Sequence, residues 1–349
     1  MNRLDWIVLR RIGGRVGLTL AIFFGLFALV ESLDTWRFTT LSRLGGPQMA
    51  VLAIIANGAR SIIGAMPVIV LIGSIIGVLD LQARREMTII KATGVSIWRV
   101  MRAPLLAAIL LGLGASFIGD TIAIEMSRTI PVTRASAETL WLEQHGTDGD
   151  YVLRADHPRA EGTILDGVSI FFTSGDSRDR IEATSATLGR NAWILSGAVH
   201  YRADKSSEFF EKLAIPTQTT PGDMRVRLTS PRDLTFNELL TAVVQHVADP
   251  SLRATAITSL LRLLALPALL VGSVLIGFAF TSGYRRTNKY GGAVLYGIVL
   301  GFVVYVVTEL ANRSGFAGVL DPTFAAAGPA FVAIVIGLTV LLYKEDGRA

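Results

Sequence analysis

Residues 50–79 read AVLAIIANGARSIIGAMPVIVLIGSIIGVL, thirty residues with a single charge, Arg60. An apolar run longer than about 18 residues crosses a bilayer core as a helix, so this stretch places the chain in a membrane. Five further apolar segments flank it, at about 16–36, 101–124, 257–281, 291–312 and 324–343. Of the 349 residues, 51% are hydrophobic and only 17% charged. A soluble domain carries about 25% charged residues, so a water-faced enzyme is excluded. The first segment, VGLTLAIFFGLFALVESLDTW, has no small-residue cleavage site and is flanked by Glu31 and Asp34. It reads as a span and not as a removed signal peptide.

Charge distribution then orients the spans. Residues 125–253 carry a net charge of −4, and the rest of the chain carries +9. Lys and Arg favour the cytoplasmic side. Fourteen of them fall in the N-terminal segment, the 80–102 loop, the 282–290 loop and the C-terminal tail, against three (Arg37, Arg43, Arg313) in the opposite short loops. This places both termini in the cytoplasm and the 125–256 insert outside. That insert reads as short strands at 168–173, 180–188, 192–202 and around 208–215, separated by Gly, Asp and Ser clusters. In the second of these, Ile181, Ala183, Ser185 and Thr187 alternate with Glu182 and Thr184, as in an antiparallel sheet with one solvated face. Thr235 and Glu238 have capping-box spacing and predict a helix from about 236 to 247. The expected architecture is an α+β membrane protein with three parts. Residues 1–124 hold three transmembrane helices with a connecting loop at 80–102, 125–256 a β-rich domain, and 257–349 three more helices.

The chain has no G-x-x-x-x-G-K-[ST] run, so it lacks a phosphate-cradling loop of its own. Cysteine is absent and the four histidines show no metal-ligand spacing. No cofactor, metal or nucleic acid is expected. Gly73-Ser74 and Gly272-Ser273 read as small-residue contacts between helices in preference to an intramembrane serine nucleophile. The informative loop is ARREMTIIKATGVSIWR, residues 83–99. It is basic and amphipathic, with one acid, Glu86, followed by Met87, Ile89 and Ile90. Its composition favours a helix lying on an anionic leaflet over one that inserts into a groove on a cytoplasmic partner.

Glu86 to Ser96 follow the pattern Glu-x-x-x-x-[Arg/Lys]-Ala-x-Gly-[Val/Ile]-Ser, after a span with Pro67, Gly73 and Gly77. With the three-plus-three layout, the β-rich insert, the GVSIFFT strand and Gly297, Gly301, Phe302 and Tyr305 of the fifth span, the whole chain resembles the LptF/LptG permeases of lipopolysaccharide export. The Val30-Glu31-Ser32-Leu33 end of the first span and the GVSIFF strand look more like LptG than LptF. The resemblance implies a non-catalytic inner-membrane subunit of an ATP-binding-cassette exporter, with a β-jellyroll-like periplasmic domain. Implied partners are an LptB-like ATPase dimer, an LptF-like second permease, and LptC-like and LptA-like periplasmic jellyroll proteins. It also implies that Arg85, Glu86, Ile90, Gly94 and Ser96 form the coupling segment, with Glu86 facing the ATPase.

Lipopolysaccharide carries phosphates and acyl chains, so its site needs apolar walls and a cationic rim. Arg60, seven residues before Pro67, is the first candidate, because an ionisable residue inside a span is costly and faces a cavity or a partner; snorkelling to head groups is the other reading. Arg134, in an Arg-Ala pair beyond the third span, and Arg37 are the other two candidates. At Asp34-Thr35, however, LptG relatives often carry adjacent lysines. Asp120 and Glu309 are expected to pair with arginines such as Arg60 or Arg262. Three other readings stand: the LptF paralogue, an FtsX/MacB-like mechanotransmitter permease, and a membrane scaffold or receptor. A mechanotransmitter places its external domain after the first of four spans, and a scaffold leaves the Glu86–Ser96 pattern unexplained.

Overall fold

The computed structural model describes residues 3–34, 38–39, 41–42, 46–128, 140–146, 149–159, 162–173, 179–202, 205–221, 224, 234–244, 250–281 and 290–345. The chain divides into two units, Met1–Ile130 with Ile257–Ala349, and Pro131–Ala256.

The first unit is helical: α1 (Arg3–Ser32), α2 (Pro47–Ala83), the short α3 (Glu86–Ala92), α4 (Ile97–Gly114), a π-helical turn (Ala115–Gly119), α5 (Asp120–Arg128), α7 (Pro250–Thr281), α8 (Tyr290–Phe316) and α9 (Pro322–Glu345). Among the described residues, six stretches are long and apolar enough to cross a membrane, with α4, the π turn and α5 counted as one. Prolines open three of these helices, at Pro47, Pro250 and Pro322, where the missing N–H has no intrahelical acceptor in any case. Asp321 completes the start of α9 by accepting a hydrogen bond from the Thr323 N–H at 2.9 Å, as an N-cap does.

The first helix departs most from its expected 16–36. It starts at Arg3 and stops at Ser32, because arginine is a good helix former and the basic segment continues the helix beyond the apolar run. α2 is the most buried span, and α1 and α8 the least. Helices approach closely where glycine removes the Cβ. A Cβ at Gly73 would lie 2.6 Å from Val16 Cα, at Gly112 2.5 Å from Pro267 Cα, and at Gly272 2.7 Å from Ala333 Cβ. Ser74 and Ser273 are fully buried, and the Ser273 hydroxyl donates to the Leu269 carbonyl at 3.0 Å. Both Gly-Ser pairs are thus helix contacts.

The second unit holds one six-stranded antiparallel sheet in sequence order, β1 (Leu140–Gly146), β2 (Gly149–Arg159), β3 (Ile164–Phe172), β4 (Arg180–Leu188), β5 (Ala192–Arg202) and β6 (Lys205–Pro216). Together with the membrane helices it makes the chain an α+β membrane protein. The second strand carries no strong sequence signal, since it contains Asp156 and Pro158, residues that favour turns. Pairing with β3 holds it extended nonetheless, with Pro158 opposite Leu165. Trp193, Tyr151, Leu153 and Leu165 are fully buried and form the sheet's apolar face.

The alternation expected in β4 changes phase halfway. Ile181 and Ala183 are buried, then Ala186 in place of Ser185 or Thr187. The neighbouring strands change phase at the same level, at Leu165/Val168 and Leu195/Ala198. Gly167 (φ 61°) and Gly197 (φ 63°) flank Thr184 there, in a conformation that glycine adopts without penalty. Because the three strands change phase together, their buried residues stay on one face across this row. Helix α6 (Phe236–Val244) begins where expected, and the remainder of the expected 236–247 lies outside the described residues. The Glu238 carboxylate accepts from the Thr235 N–H at 2.8 Å, which is one half of the capping box.

Two glycines on α4 test the close-approach argument. Alanine is favoured over glycine in a helix by about 0.5–1 kcal/mol. Gly114→Ala has nothing within 4 Å of its new Cβ and is expected to leave the melting temperature in detergent unchanged or slightly higher. Gly112→Ala must push Pro267 away and is expected to lower it by several degrees. Equal effects would mean that the α4–α7 contact is loose.

Candidate functional site: a membrane cavity and a connecting helix

A cavity of about 570 Å³ opens within the helical unit, walled by α1, α2, α7 and α8 with Ala326 of α9. Its apolar lining includes Phe23, Phe27, Val68, Ile72, Leu269 and Phe302, and its polar residues are Arg262, Tyr305, Thr308, Glu309 and Asn312. The lining residues occupy the middle of each helix and the half remote from α3. Asn312, 5% exposed, is the most buried of these polar lining residues.

The charges at this end are arranged in sets. Asp120 on α5 is buried and lies within electrostatic reach of Arg262 and Arg60. The π turn brings it there. Four residues before Asp120, the Ser116 hydroxyl donates to the Leu263 carbonyl at 2.7 Å, so one face of this helix follows α7 from Gly112 at Pro267 to Asp120 at Arg262. On an insertion scale an ionised side chain at mid-span costs about 2.5–3.5 kcal/mol, which explains why Asp120 and the two arginines share one locus. Glu309 accepts a hydrogen bond from Arg313 Nε at 2.9 Å. Asp120 therefore meets the arginines anticipated for it, while Glu309 bonds to one that sequence reasoning did not consider.

Arg60 is half-buried and faces Asp120; its neighbour Ser61 lines the cavity. The cavity's own arginine is Arg262, which the sequence reading treated only as a counter-ion. The signal was present, since Arg262 precedes Pro267 by five residues in an apolar span much as Arg60 precedes Pro67 by seven. Arg37 and Arg134 lie outside the described residues.

At the other end, α2 ends at Ala83, and Arg85 takes a left-handed conformation with φ 59°, its N–H bonded to the Gln82 carbonyl at 2.9 Å. That turn starts α3. Gly94 (φ 77°) reverses the chain after it, and the Ser96 carbonyl accepts the Arg99 N–H at 3.1 Å as α4 begins. Glu86 is paired within the chain, its Oε1 3.2 Å from Arg11 Nη2. Its Oε2 is shielded and has no hydrogen-bond partner among the described residues. Met87 and Ile90 turn inward, 3% and 9% exposed, whereas Ile89 is 63% exposed. The Ile90 side chain is packed in the bundle's own core, which leaves Ile89 as the apolar residue that α3 presents outward. The outward face of the segment is Arg85, Thr88, Ile89, Ala92, Thr93, Gly94 and Ser96.

Apolar spans in two groups of three, a β-sheet unit between them and a membrane cavity with charged residues at one end define a multi-pass permease. The chain matches the lipopolysaccharide export system permease LptF/LptG family over residues 6–343. No curated protein matches it. Because the match covers nearly the whole chain, the protein belongs to the LptF/LptG family, whose members are inner-membrane permeases of the lipopolysaccharide export system.

The split between Ile89 and Ile90 gives a direct check. Ile90→Ser is expected to destabilise the bundle by about 2–4 kcal/mol, the cost of emptying a buried aliphatic site and adding a hydroxyl. Ile89→Ser is expected to change stability by less than about 0.5 kcal/mol, as surface substitutions do. Thermal unfolding in one detergent measures both, and a reversed order would invert the orientation of α3.

Proposed function

We propose that the chain is the LptG-like half of a heterodimeric permease that extracts lipopolysaccharide from the inner membrane, driven by a separate cytoplasmic ATPase. The observation that carries the reading is the cavity, with its apolar walls and an arginine at one end. Acyl chains fit the walls and lipid phosphates fit Arg262, with Arg60 close behind it. At about 570 Å³ the cavity is within the range of small-molecule sites and too small for a lipid with several acyl chains. That size accords with a lumen completed by a second permease, and the exposed apolar faces of α1 and α8 suit such a partner. The Val30–Leu33 and GVSIFF segments favour LptG over LptF for this chain.

The basic split supports a cytoplasmic location for α3 and a periplasmic one for the β unit, which would pass lipid on to LptC-like and LptA-like jellyroll proteins. A permease without a phosphate-binding loop needs a surface that receives motion. Arg85, Ile89, Gly94 and Ser96 offer that surface to an LptB-like dimer, with Ile89 as the apolar contact, while Glu86 and Ile90 hold the segment to its own bundle.

Replacement of the cavity arginine tests the lipid assignment. Removing one partner of a desolvated charge pair costs about 2–5 kcal/mol, so Arg262→Gln is expected to cut lipopolysaccharide retained on the purified complex by at least about tenfold. It is expected to lower the melting temperature as well, because Asp120 loses a counter-ion, whereas Arg262→Lys keeps the charge and is expected to retain lipid. Undiminished lipid retention by Arg262→Gln would remove the cavity from the transport path.

A further inference from the structure

Helix α1 does more than cross the membrane. Four of its residues, Arg11, Ile12, Arg15 and Val16, share one face with helical i, i+4 spacing, and each meets α2 or α3. Arg11 Nη2 lies 3.2 Å from Glu86 Oε1, and Arg15 Nη2 lies 3.1 Å from Asp80 Oδ1. Between and beyond these pairs, a Cβ at Gly77 would lie 2.9 Å from Ile12 Cα and one at Gly73 2.6 Å from Val16 Cα. Backbone therefore rests on backbone, with ion pairs on consecutive turns. Asp80 also receives Arg84 Nε at 3.6 Å, which ties the last turn of α2 into the same cluster. Further along, Gly58 packs on Phe24. On the same helix Phe23 and Phe27 form part of the cavity wall. At 1.5 Å per residue, Arg11 and Phe23 are about 18 Å apart along one rigid rod.

We propose that Arg11 and Arg15 are positioning residues that clasp α3 and the last turn of α2, respectively, to α1, so that α1, α2 and α3 move as one lever and a displacement of α3 is delivered to the cavity wall at Phe23 and Phe27. The inference rests on the reading that α3 receives the push of an ATPase. It gives Glu86 an internal partner, Arg11, and gives the basic N-terminal segment a mechanical role. Each pair is partly exposed and modest alone. The glycine contacts remove the slack, so the pairs have only to prevent sliding along the seam.

The test uses the full complex in proteoliposomes, with lipid released per ATP hydrolysed as the readout, because a purely structural role would change amounts and not this ratio. Arg15→Asp and Asp80→Arg are each expected to lower the ratio about threefold, the factor that follows from losing a partly exposed ion pair. Combining them restores an opposite-charge pair in reversed order and is expected to return the ratio to its original value. The chain has no cysteine, so Arg15→Cys with Asp80→Cys can be bridged specifically by a short bis-maleimide. Uncoupling before bridging and recovery after it would support the lever. Unchanged ratios in all variants would overturn it, as would a bridged complex that releases no lipid, because α1 would then have to part from α2. If the unmodified complex hydrolyses ATP without releasing lipid, the export reading itself fails, and the lever with it.

Discussion

Lipid tails solvate a leucine as well as another leucine does, so membrane helices gain little by hiding apolar surface from one another. What remains is close contact, and in this chain close contact depends on glycine. Gly73 and Gly77 seat α1 on α2, Gly112 seats α4 on α7, and Gly272 and Gly337 seat α9 on α7. These contacts determine which helix faces are used up inside the bundle and which are left over. The cavity lies among α1, α2, α7 and α8, and the exposed apolar faces of α1 and α8 are left over on the bundle's outside.

Charge placement follows from the same economy. Inside the spans Asp120 is found only where Arg60 and Arg262 can face it, and the Ser116–Leu263 hydrogen bond at the π turn fixes its height on α7. π turns of this kind are common at functional sites. At the opposite end Asp80 and Glu86 are met by Arg15 and Arg11. The two clusters are joined by α2, which carries Arg60 and Asp80 and packs along α1. A force applied at one end and the cavity near the other would thus share a continuous packed path, which is the physical requirement for coupling.

Much of this was legible in the residues. Six apolar runs marked six spans, because length and hydropathy are properties of single segments. The basic loop at 83–99 stood out because its pattern is local. Side-chain direction was not legible. Met87, Ile89 and Ile90 look alike in sequence, and only the packing of α3 against the bundle turns two inward and one outward. Glu86 looked like a free acid because its partner, Arg11, is 75 residues away. Likewise β2 was missed because Asp156 and Pro158 favour turns, and the strand is held by its neighbours. The phase change at Thr184 needs glycines on both adjacent strands, a coincidence that no single strand reveals.

The central claim is that this family member works as one half of a permease powered from outside its own chain. The most direct measurement is purification of the tagged chain from its native membrane in mild detergent, with every co-purifying polypeptide and lipid identified. The account predicts a nucleotide-binding cassette ATPase, a second six-span chain of the same family, and bound lipopolysaccharide. A chain that leaves the membrane alone, or paired only with a second copy of itself and no nucleotide-binding subunit, would contradict it.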